Sequence, residues 1–386
     1  KMMHVKNGDD TLALLPADFV ARGPLIDRPK SKPKYLSQLP SSLPSENQLP
    51  LSDVLLKLLS SPNIASKHWV FRQYDHEVGI RTVIKPGFDS SVLRLDNGKS
   101  LSVKIDGNPK HCYIDPRQGA IGCFEEACRN VVCTGATPIG MVDHLQFGNP
   151  EDPEIFWTFM ESIEGITDFA KFLNVPCVGG KVSFYNETSD GPIKPTPLIG
   201  VLGLIENSPL LPTPPSNNDV ILLVGETKDE LGGSEYYEYI HNFVGGIAPK
   251  VNFEESQKNM KSILSLISKN LVKYAHDCSK GGLATAISEL CMFGKIGCEI
   301  DLPSTLSSEK MLFSESHSRY LLVVDKNNLD EMKSLLSNHN CSFSELGIFS
   351  GDQIIFKSNS EPVLELRVDK AENNYLNSLG KIIQNG

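Results

Sequence analysis

The 386-residue sequence has no run of about 20 apolar residues, the length that a membrane-spanning helix requires. Its polar start, KMMHVKNGDD, lacks the apolar stretch of a secretory signal peptide, so a cytoplasmic protein is predicted. Basic residues are also in deficit, with 37 Lys and Arg against 47 Asp and Glu and a net charge of −10. This deficit leaves no general basic surface for a nucleic-acid backbone.

Paired cysteines and several short catalytic motifs are missing as well. The nine cysteines are an odd number without a CxxC pair, which favours reduced thiols. Cys123, Cys128 and Cys133 recur at steps of five, but such a step rotates a helical side chain by about 140°. They therefore cannot converge on one metal ion. The absence of HExxH, GxSxG and GxxxxGKS removes support for a metalloprotease, a hydrolase or a P-loop enzyme.

What the sequence does contain is an alternation of strand and helix patterns, interrupted by proline-rich segments. Prolines are dense over residues 23–52, which predicts an extended linker, and SPLLPTPPSNND at 208–219 predicts a domain boundary. We expect a join and linker over 1–64, then α/β domains over 65–207 and 208–386. Because position 1 is not Met and a strand-like TLALLPADFV follows closely, the chain is expected to begin inside a larger polypeptide.

A βαβ unit is predicted in the first domain. PIGMVDHL and VPCVGG read as strands, and the pattern between them predicts a helix from Pro153 to Leu173. Asp152 is a typical helix start, since an acidic cap precedes proline at the first helical position. A strand, helix and strand in this order favour parallel pairing, which would put Asp143 and Gly180 just beyond neighbouring strand ends. Asp143 is then either a ligand-binding carboxylate or a turn cap.

The segment GGKVSFYNET at 179–188 offers groups suited to a phosphate and a metal. Paired glycines let a phosphate approach the backbone, although a strand bulge is their commoner meaning. Lys181, Ser183 and Tyr185 are expected to share one face of the strand because side chains alternate along it.

Oxygen-bearing side chains in other segments suit a hard cation. Glu126 and Asn130 are four apart in FEEACRNVV, so they share one helix face and can coordinate jointly. The alternative is that both side chains lie on a solvated helix face, which their apolar neighbours disfavour. Asp89 in PGFDSSVLRL is a third carboxylate at the start of a predicted strand, where it could instead be a turn residue.

Ser279 precedes the glycines of HDCSKGGL at a predicted helix start, where backbone amides and the helix dipole can hold a phosphate. The alternative is a plain helix cap made by Ser279 or Asp277. A further helix is expected at SDVLLKLLSS, residues 52–61, with Ser52 as its cap.

From about residue 72 onward the chain resembles the synthetase subunit of formylglycinamide ribonucleotide amidotransferase, also called phosphoribosylformylglycinamidine synthase. The resemblance rests on several ordered segments, among them FEEACRNVVCTGATP, DHLQFGNPEDPE, GGKVSFYNET, HDCSKGGLATAISEL and LFSESHSR. It is to the second half of the small-type subunit. It implies one aminoimidazole ribonucleotide synthetase-like module of two mixed α/β domains, with residues 1–30 as the join from the first half.

The resemblance implies an ATP-dependent ligase step of purine synthesis, the conversion of formylglycinamide ribonucleotide to its amidine. ATP and Mg²⁺ are the implied cofactors. The implied partners are a first-half synthetase module, a glutaminase subunit and a small bridging subunit. Because the family's catalytic histidine belongs to the first half, no catalytic residue is expected here and the chain alone should be inactive. The alternatives are a nucleotide-bound scaffold and a stand-alone synthetase-like homodimer, which FGNPEDPE and VSFYNET disfavour.

Residue roles follow from the same resemblance. Asp143 and Gly180 would contact ATP, and Ser183 would contact the substrate. Lys181 stands where the family has a magnesium-binding asparagine, and an ammonium group has only donors. It either contacts phosphate as a cation or marks a lost metal role.

The resemblance also implies a second nucleotide pocket in this half. Ser279 would contact the nucleotide, and four residues match magnesium ligands: Asp89, Glu126, Asn130 and Asp277.

Overall fold

The computed structural model describes residues 1–23, 27–40, 43–45 and 49–385. Over these residues two large mixed sheets and two short ribbons are flanked by helices, which confirms the predicted α/β class. Parts of the predicted linker, 24–26, 41–42 and 46–48, lie outside the described residues.

The strands in chain order are β1 (Met2–Asn7), β2 (Asp10–Pro16), β3 (Thr82–Ile84), β4 (Ser91–Arg94), β5 (Ser100–Asp106), β6 (Thr137–Gln146), β7 (Cys177–Ser183), β8 (Glu187–Thr188), β9 (Gly191–Pro192), β10 (Thr196–Ile205), β11 (Val220–Val224), β12 (Tyr274–Asp277), β13 (Cys298–Asp301), β14 (Tyr320–Val324), β15 (Phe343–Phe349), β16 (Gln353–Ser358) and β17 (Glu361–Arg367). The helices are α1 (Ala17–Arg22), α2 (Tyr35–Gln38), α3 (Leu51–Leu59), α4 (His68–Phe71), α5 (Pro109–Ile114), α6 (Pro116–Cys133), α7 (Pro153–Leu173), α8 (Glu235–His241), α9 (Phe253–Ser268), α10 (Gly282–Gly294), α11 (Ser308–Phe313), α12 (Leu329–Asn338) and α13 (Val368–Asn385).

The first large sheet has the strand order β3-β4-β5-β10-β6-β7. Strands β6 and β7 pair in parallel, as the βαβ pattern predicts, and α7 connects them. The side chain of Asp152 caps α7 by accepting a hydrogen bond from the backbone N–H of Glu154 at 2.8 Å. Because β7 is at the end of this order, one of its edges has no partner strand in the described residues.

The second large sheet has the order β12-β14-β11-β15-β13-β16-β17. It is covered on both faces, since alternate residues of β11 enter two different apolar clusters. Leu222 faces α9 and α6, while Ile221 and Leu223 face α10 and α3. Helix α6 thereby belongs to a core that continues from one sheet to the other.

Helix α3 differs from its prediction. It begins after Pro50 with no side-chain cap, so Ser52 lies inside the helix rather than at its start. Val54, Leu55, Leu58 and Leu59 are fully buried in the core of the second sheet. Part of the predicted linker is therefore packed into a domain, because four apolar side chains on one helical face favour burial over an extended path.

None of the helices in the described part of the chain combines the length and the apolar character needed to cross a bilayer.

Candidate functional site

Asp143 and Gly180 lie side by side on β6 and β7, where they are direct partners in the parallel register. Both lie inside their strands rather than beyond the strand ends as predicted, since β6 continues to Gln146 and β7 to Ser183. The reason is pairing with β10, which extends opposite β6 as far as Gln146.

The carboxylate of Asp143 occupies the space that a side chain at position 180 would take. A Cβ atom built on Gly180 would lie 2.5 Å from Asp143 Oδ1 and 2.8 Å from its Cγ. A Cβ on the neighbouring Gly179 would meet only Val142 Cγ1, at an ordinary 3.8 Å. The two glycines of the motif therefore have different functions, and only Gly180 makes room for the acid.

Asp143 lines an open cavity of about 470 Å³ between α7 and the end of β6. Its walls include Ile163, Ile166 and Lys171 of α7. The thiol of Cys177 contacts Asp143 Oδ2 at 3.4 Å. All nine cysteines lie in described residues, and among them only Cys177 is exposed.

Lys181 and Ser183 are on the other face of β7, because side chains alternate along a strand and Gly180 faces Asp143. Lys181 is exposed, pairs with His144 in the register and makes no ion pair within the described residues. Tyr185 does not share this face as predicted, because β7 ends at Ser183 and Tyr185 has a left-handed backbone with φ 63°.

Ser183 is held by the loop that follows β7. Its side chain contacts the amide group of Asn186, whose Nδ2 also donates to the backbone oxygen of Ser183 at 2.8 Å. The same Nδ2 donates to Phe147 O at 2.9 Å. The predicted substrate contact is thus positioned by an asparagine of the VSFYNET segment.

A second cavity, of about 630 Å³, contains most of the predicted metal-binding residues. Asp89, Asn130, Asp277 and Ser279 line it. Aromatic rings form part of its wall, namely Phe71, Phe88, Tyr274 and Phe293. Glu126 is buried nearby, with Oε1 at 3.5 Å from Lys280 Nζ.

Asp89 is saturated by donors from β12. Its Oδ1 accepts from the backbone N–H of Asp277 at 2.9 Å and contacts His276 Nδ1 at 2.8 Å. Its Oδ2 accepts from the hydroxyl of Tyr274 at 3.0 Å. Burial lowers the pKa of His276, but Asp89 and Glu289 outweigh burial and hold that pKa well above its usual value. The two carboxylates thus favour the protonated form of His276.

Asp277 and Asn130 are also occupied by protein groups. Asp277 Oδ2 lies 3.3 Å from an Arg129 guanidinium nitrogen and 3.2 Å from Asn130 Nδ2. The oxygen of the Asn130 amide accepts from Lys104 Nζ at 3.0 Å. The amide oxygen expected to bind a metal thus receives an ammonium group instead.

Asp106, at the end of β5, belongs to the same cluster and was not among the predicted residues. It lies 3.3 Å from Asn130 Nδ2 and 3.8 Å from Lys104 Nζ. Burial raises the pKa of Asp106 to about 7, with Glu126 adding to the rise and Lys104 opposing it. The sequence signal was available, since Asp106 ends the strand pattern LSVKID in the same way as Asp277 ends its strand.

Glu126 is ionised in this cluster. Burial raises its pKa, but the charges of Lys280 and Arg129 outweigh burial and lower the pKa below the usual value. Glu125 beside it forms an ion pair with Arg129, and both side chains are buried.

Neither Ser279 nor Asp277 caps α10 with its side chain. The cap position is Gly281, with φ 76°, and the helix begins at Gly282. The helix-cap alternative for Ser279 is therefore wrong.

A divalent cation fits poorly among these residues. One oxygen or nitrogen each of Asp89, His276 and Asp277 lies within 4.8 Å of the others, the only such group of three in the described residues. However, Asp89 already accepts three hydrogen bonds, and His276 is held between Asp89 and Glu289. A protonated imidazole is no metal ligand.

Two family models match the chain. The N-terminal domain of AIR synthase related protein matches residues 87–205, and the C-terminal domain of that family matches residues 216–357. Together the two models cover well over half of the chain.

The sequence is similar to subunits named phosphoribosylformylglycinamidine synthase subunit PurL. The one from Methanococcus aeolicus is 40% identical over 398 residues, covering 99% of this chain and 53% of the relative. The one from Methanobrevibacter smithii is 45% identical over 341 residues, covering 86% of this chain and 47% of the relative. The chain thus spans about half the length of these relatives.

Among solved structures, Thermotoga maritima PurL complexed with FGAR matches with a TM-score of 0.67 at 20% identity. The match covers 83% of this chain and 53% of the other. At this identity the match establishes the fold. With both domain models in order along the sequence, the chain belongs to the family of AIR synthase related proteins.

Proposed function

We propose that this chain is the second half of a synthetase subunit that converts formylglycinamide ribonucleotide to formylglycinamidine ribonucleotide, using ATP, in purine biosynthesis. The pairing of Asp143 with Gly180 carries the proposal. It places a partly exposed carboxylate next to a cavity and beside a glycine on β7, the edge strand of the sheet in the described residues. The similarity to PurL subunits over nearly the whole chain supports the proposal.

In this proposal Asp143 and Gly180 contact ATP, while Ser183 contacts the substrate from the opposite face of β7. Bound Mg²⁺ would neutralise the phosphates during transfer. Lys181 contributes a cation on the Ser183 face, where no carboxylate neutralises it within the described residues. In this proposal the residues of this chain bind and orient ATP and the substrate, which meet at the edge strand β7.

The open face of the first sheet supports a requirement for a preceding module. Ile105 and Val142 flank Gly200 on that face, since a Cβ on Gly200 would lie within 3.6 Å of both side chains. Ile105 and Val178 are each 63% exposed. An apolar sheet face of this kind favours burial against another protein surface.

The β1–β2 ribbon presents a second such surface. Its apolar side chains Met2, Val5, Leu12 and Leu14 are exposed. A two-stranded ribbon is marginally stable alone in water. We therefore assign it, with the open sheet face, to the contact with a first-half synthetase module.

A structure of PurLQS from T. maritima covers 87% of this chain at 20% identity. We propose correspondingly that the assembled enzyme works with a glutaminase subunit and a small bridging subunit in the cytoplasm. As a ligase forming a C–N bond, it would use glutamine or ammonia as nitrogen donor.

Phosphate release tests the proposal. The chain, a first-half module, and both together are incubated with ATP, Mg²⁺, ammonia and formylglycinamide ribonucleotide. We expect phosphate release only from the mixture, because the resemblance places the family's catalytic histidine in the first half. Substantial release by the chain alone would favour the stand-alone homodimer instead. Nucleotide binding without any release from the mixture would favour the scaffold function, for which the 630 Å³ cavity is the supporting observation.

A further inference from the structure

The carboxyl groups around the second cavity are interleaved with basic side chains of the same chain. The carboxyl groups are Asp89, Asp106, Glu126 and Asp277, and the basic side chains facing them are Lys104, Lys280, Arg129 and His276, of which Arg129 also pairs with Glu125 and His276 with Glu289. All eight side chains are at least mostly buried. A buried carboxylate is costly unless a cation or donors meet it. In this chain every one of the four is met by a protein group.

The two lysines are placed where a bridging metal ion would act. Lys104 Nζ contacts the Asn130 oxygen at 3.0 Å and lies 3.8 Å from Asp106. Lys280 Nζ lies 3.5 Å from Glu126. A hard divalent cation would use these same oxygens. It could bind only by displacing an ammonium group into the cavity, which would put like charges close together in a partly buried space.

The amide of Asn130 supports the same conclusion from its other end. Its Nδ2 donates to the backbone oxygen of Glu126 at 2.8 Å and faces Asp106 and Asp277. Three oxygen neighbours fix this end as the donor, so the oxygen end must face Lys104.

We propose that Lys104 and Lys280 take the place of the divalent cation in this pocket, so that its carboxylates are held together without Mg²⁺. The proposal is independent of the activity proposed above, because it concerns the charge balance of the folded chain in the absence of nucleotide. Any ligand of the cavity must then bind to a site whose carboxylates already have protein partners.

Two measurements on the unmodified chain test the proposal. Thermal unfolding is followed with EDTA and with Mg²⁺, and binding of Mn²⁺ is followed by water-proton relaxation, both without nucleotide. We expect the same melting temperature with EDTA and Mg²⁺, and no Mn²⁺ binding that is lost in Asp277→Asn. Stabilisation by Mg²⁺, or saturable Mn²⁺ binding that Asp277→Asn abolishes, would overturn the proposal.

Removing the cation should restore the metal requirement. In Lys104→Met the Asn130 oxygen and Asp106 lose their partner, so we expect Mg²⁺ to raise the melting temperature by at least ~2 °C relative to EDTA. Lys99→Met is the matched control, since Lys99 pairs with Glu206 at the surface, and it should show no response. A folded Lys104→Met protein with the same melting temperature in Mg²⁺ and in EDTA would overturn the proposal. If this variant does not fold, the measurements on the unmodified chain decide alone.

Discussion

Two aspartates on the strands that flank β10 have opposite surroundings. Ile199 on β10 pairs with Asp106 on one side and with Asp143 on the other. Asp106 is enclosed by Lys104 and Asn130, and burial raises its pKa to about 7. Asp143 is partly exposed at the rim of an open cavity, beside a glycine that leaves space. The carboxyl group of Asp106 is thus paired within the chain, and that of Asp143 is available to a ligand.

The comparison separates stability from function. The buried cluster around Asp106 should lose stability whenever one of its charges is removed, whatever ligands are present. Substitutions at the β6–β7 edge should change the free energy of unfolding little but should change ligand binding and turnover.

Removal of Arg129 should have the largest effect. Arg129→Met leaves the buried carboxylates of Glu125 and Asp277 without their guanidinium, which should cost about 3–5 kcal/mol of unfolding free energy. The control Arg117→Met removes surface ion pairs to Glu164 and Asp168 and should cost about 0–1 kcal/mol. Urea unfolding measures both. Equal losses in the two variants would show that the cluster is not closed in the way described.

Substitution of Gly180 should abolish most activity at little cost in stability. In Gly180→Ala a Cβ 2.5 Å from Asp143 Oδ1 forces the carboxylate to move, and such a misplacement costs roughly 100-fold in turnover. Gly179→Ala is the matched control, because its Cβ has an ordinary contact. Phosphate release by the assembled enzyme is measured for both. A comparable loss in Gly179→Ala would remove the special role of Gly180.

The raised pKa of Asp106 predicts a pH dependence of stability. A carboxyl group whose folded pKa is above its unfolded value binds more protons when folded, so its contribution to stability is present at low pH and falls between about pH 4 and 7. Asp106→Asn should remove this fall, so that variant and parent differ in the slope of unfolding free energy across that range. Parallel slopes would show that Asp106 is not perturbed in the folded chain.

Lys181 should have the smallest effect. Lys181 is exposed, and its side chain is on the face of β7 opposite Asp143. Lys181→Ala should therefore leave the melting temperature unchanged. We expect it to weaken ATP use several-fold in the assembled enzyme, and Lys181→Asn to increase the magnesium requirement. Phosphate release against Mg²⁺ concentration compares the three proteins. Identical curves would place Lys181 outside the site.

The fold was largely predictable because its signals are local. Helix α7 has the predicted bounds Pro153–Leu173, set by the cap Asp152 and by apolar periodicity. Helix α13 was missed, since its pattern VDKAENNYLNSLGKIIQN is mostly polar and its apolar residues meet a surface built from distant segments. Strand β15 was missed as well, as FSELGIF alternates weakly.

The candidate site was predictable only where a motif named the residue. The resemblance grouped Asp89, Asn130 and Asp277 in one pocket, and all three line one cavity. The sequence could not show that Lys104 would contact Asn130, because a lysine on a strand is usually a solvated side chain. Its partner Asn130 is on a different element, α6, and only the packing of β5 against α6 brings them together.

The accessibility of the Cys177 thiol shows whether the β6–β7 edge is open in this chain and becomes covered by a first-half module. Short exposure to N-ethylmaleimide, followed by mass spectrometry, measures labelling of native protein. The account predicts labelling at Cys177 alone in the isolated chain, since it is the exposed cysteine. The rate should be moderate, because burial and Asp143 raise the pKa of its thiol, and it should fall when a first-half module is added. Labelling of Cys177 at an unchanged rate in an assembled, active complex would contradict it.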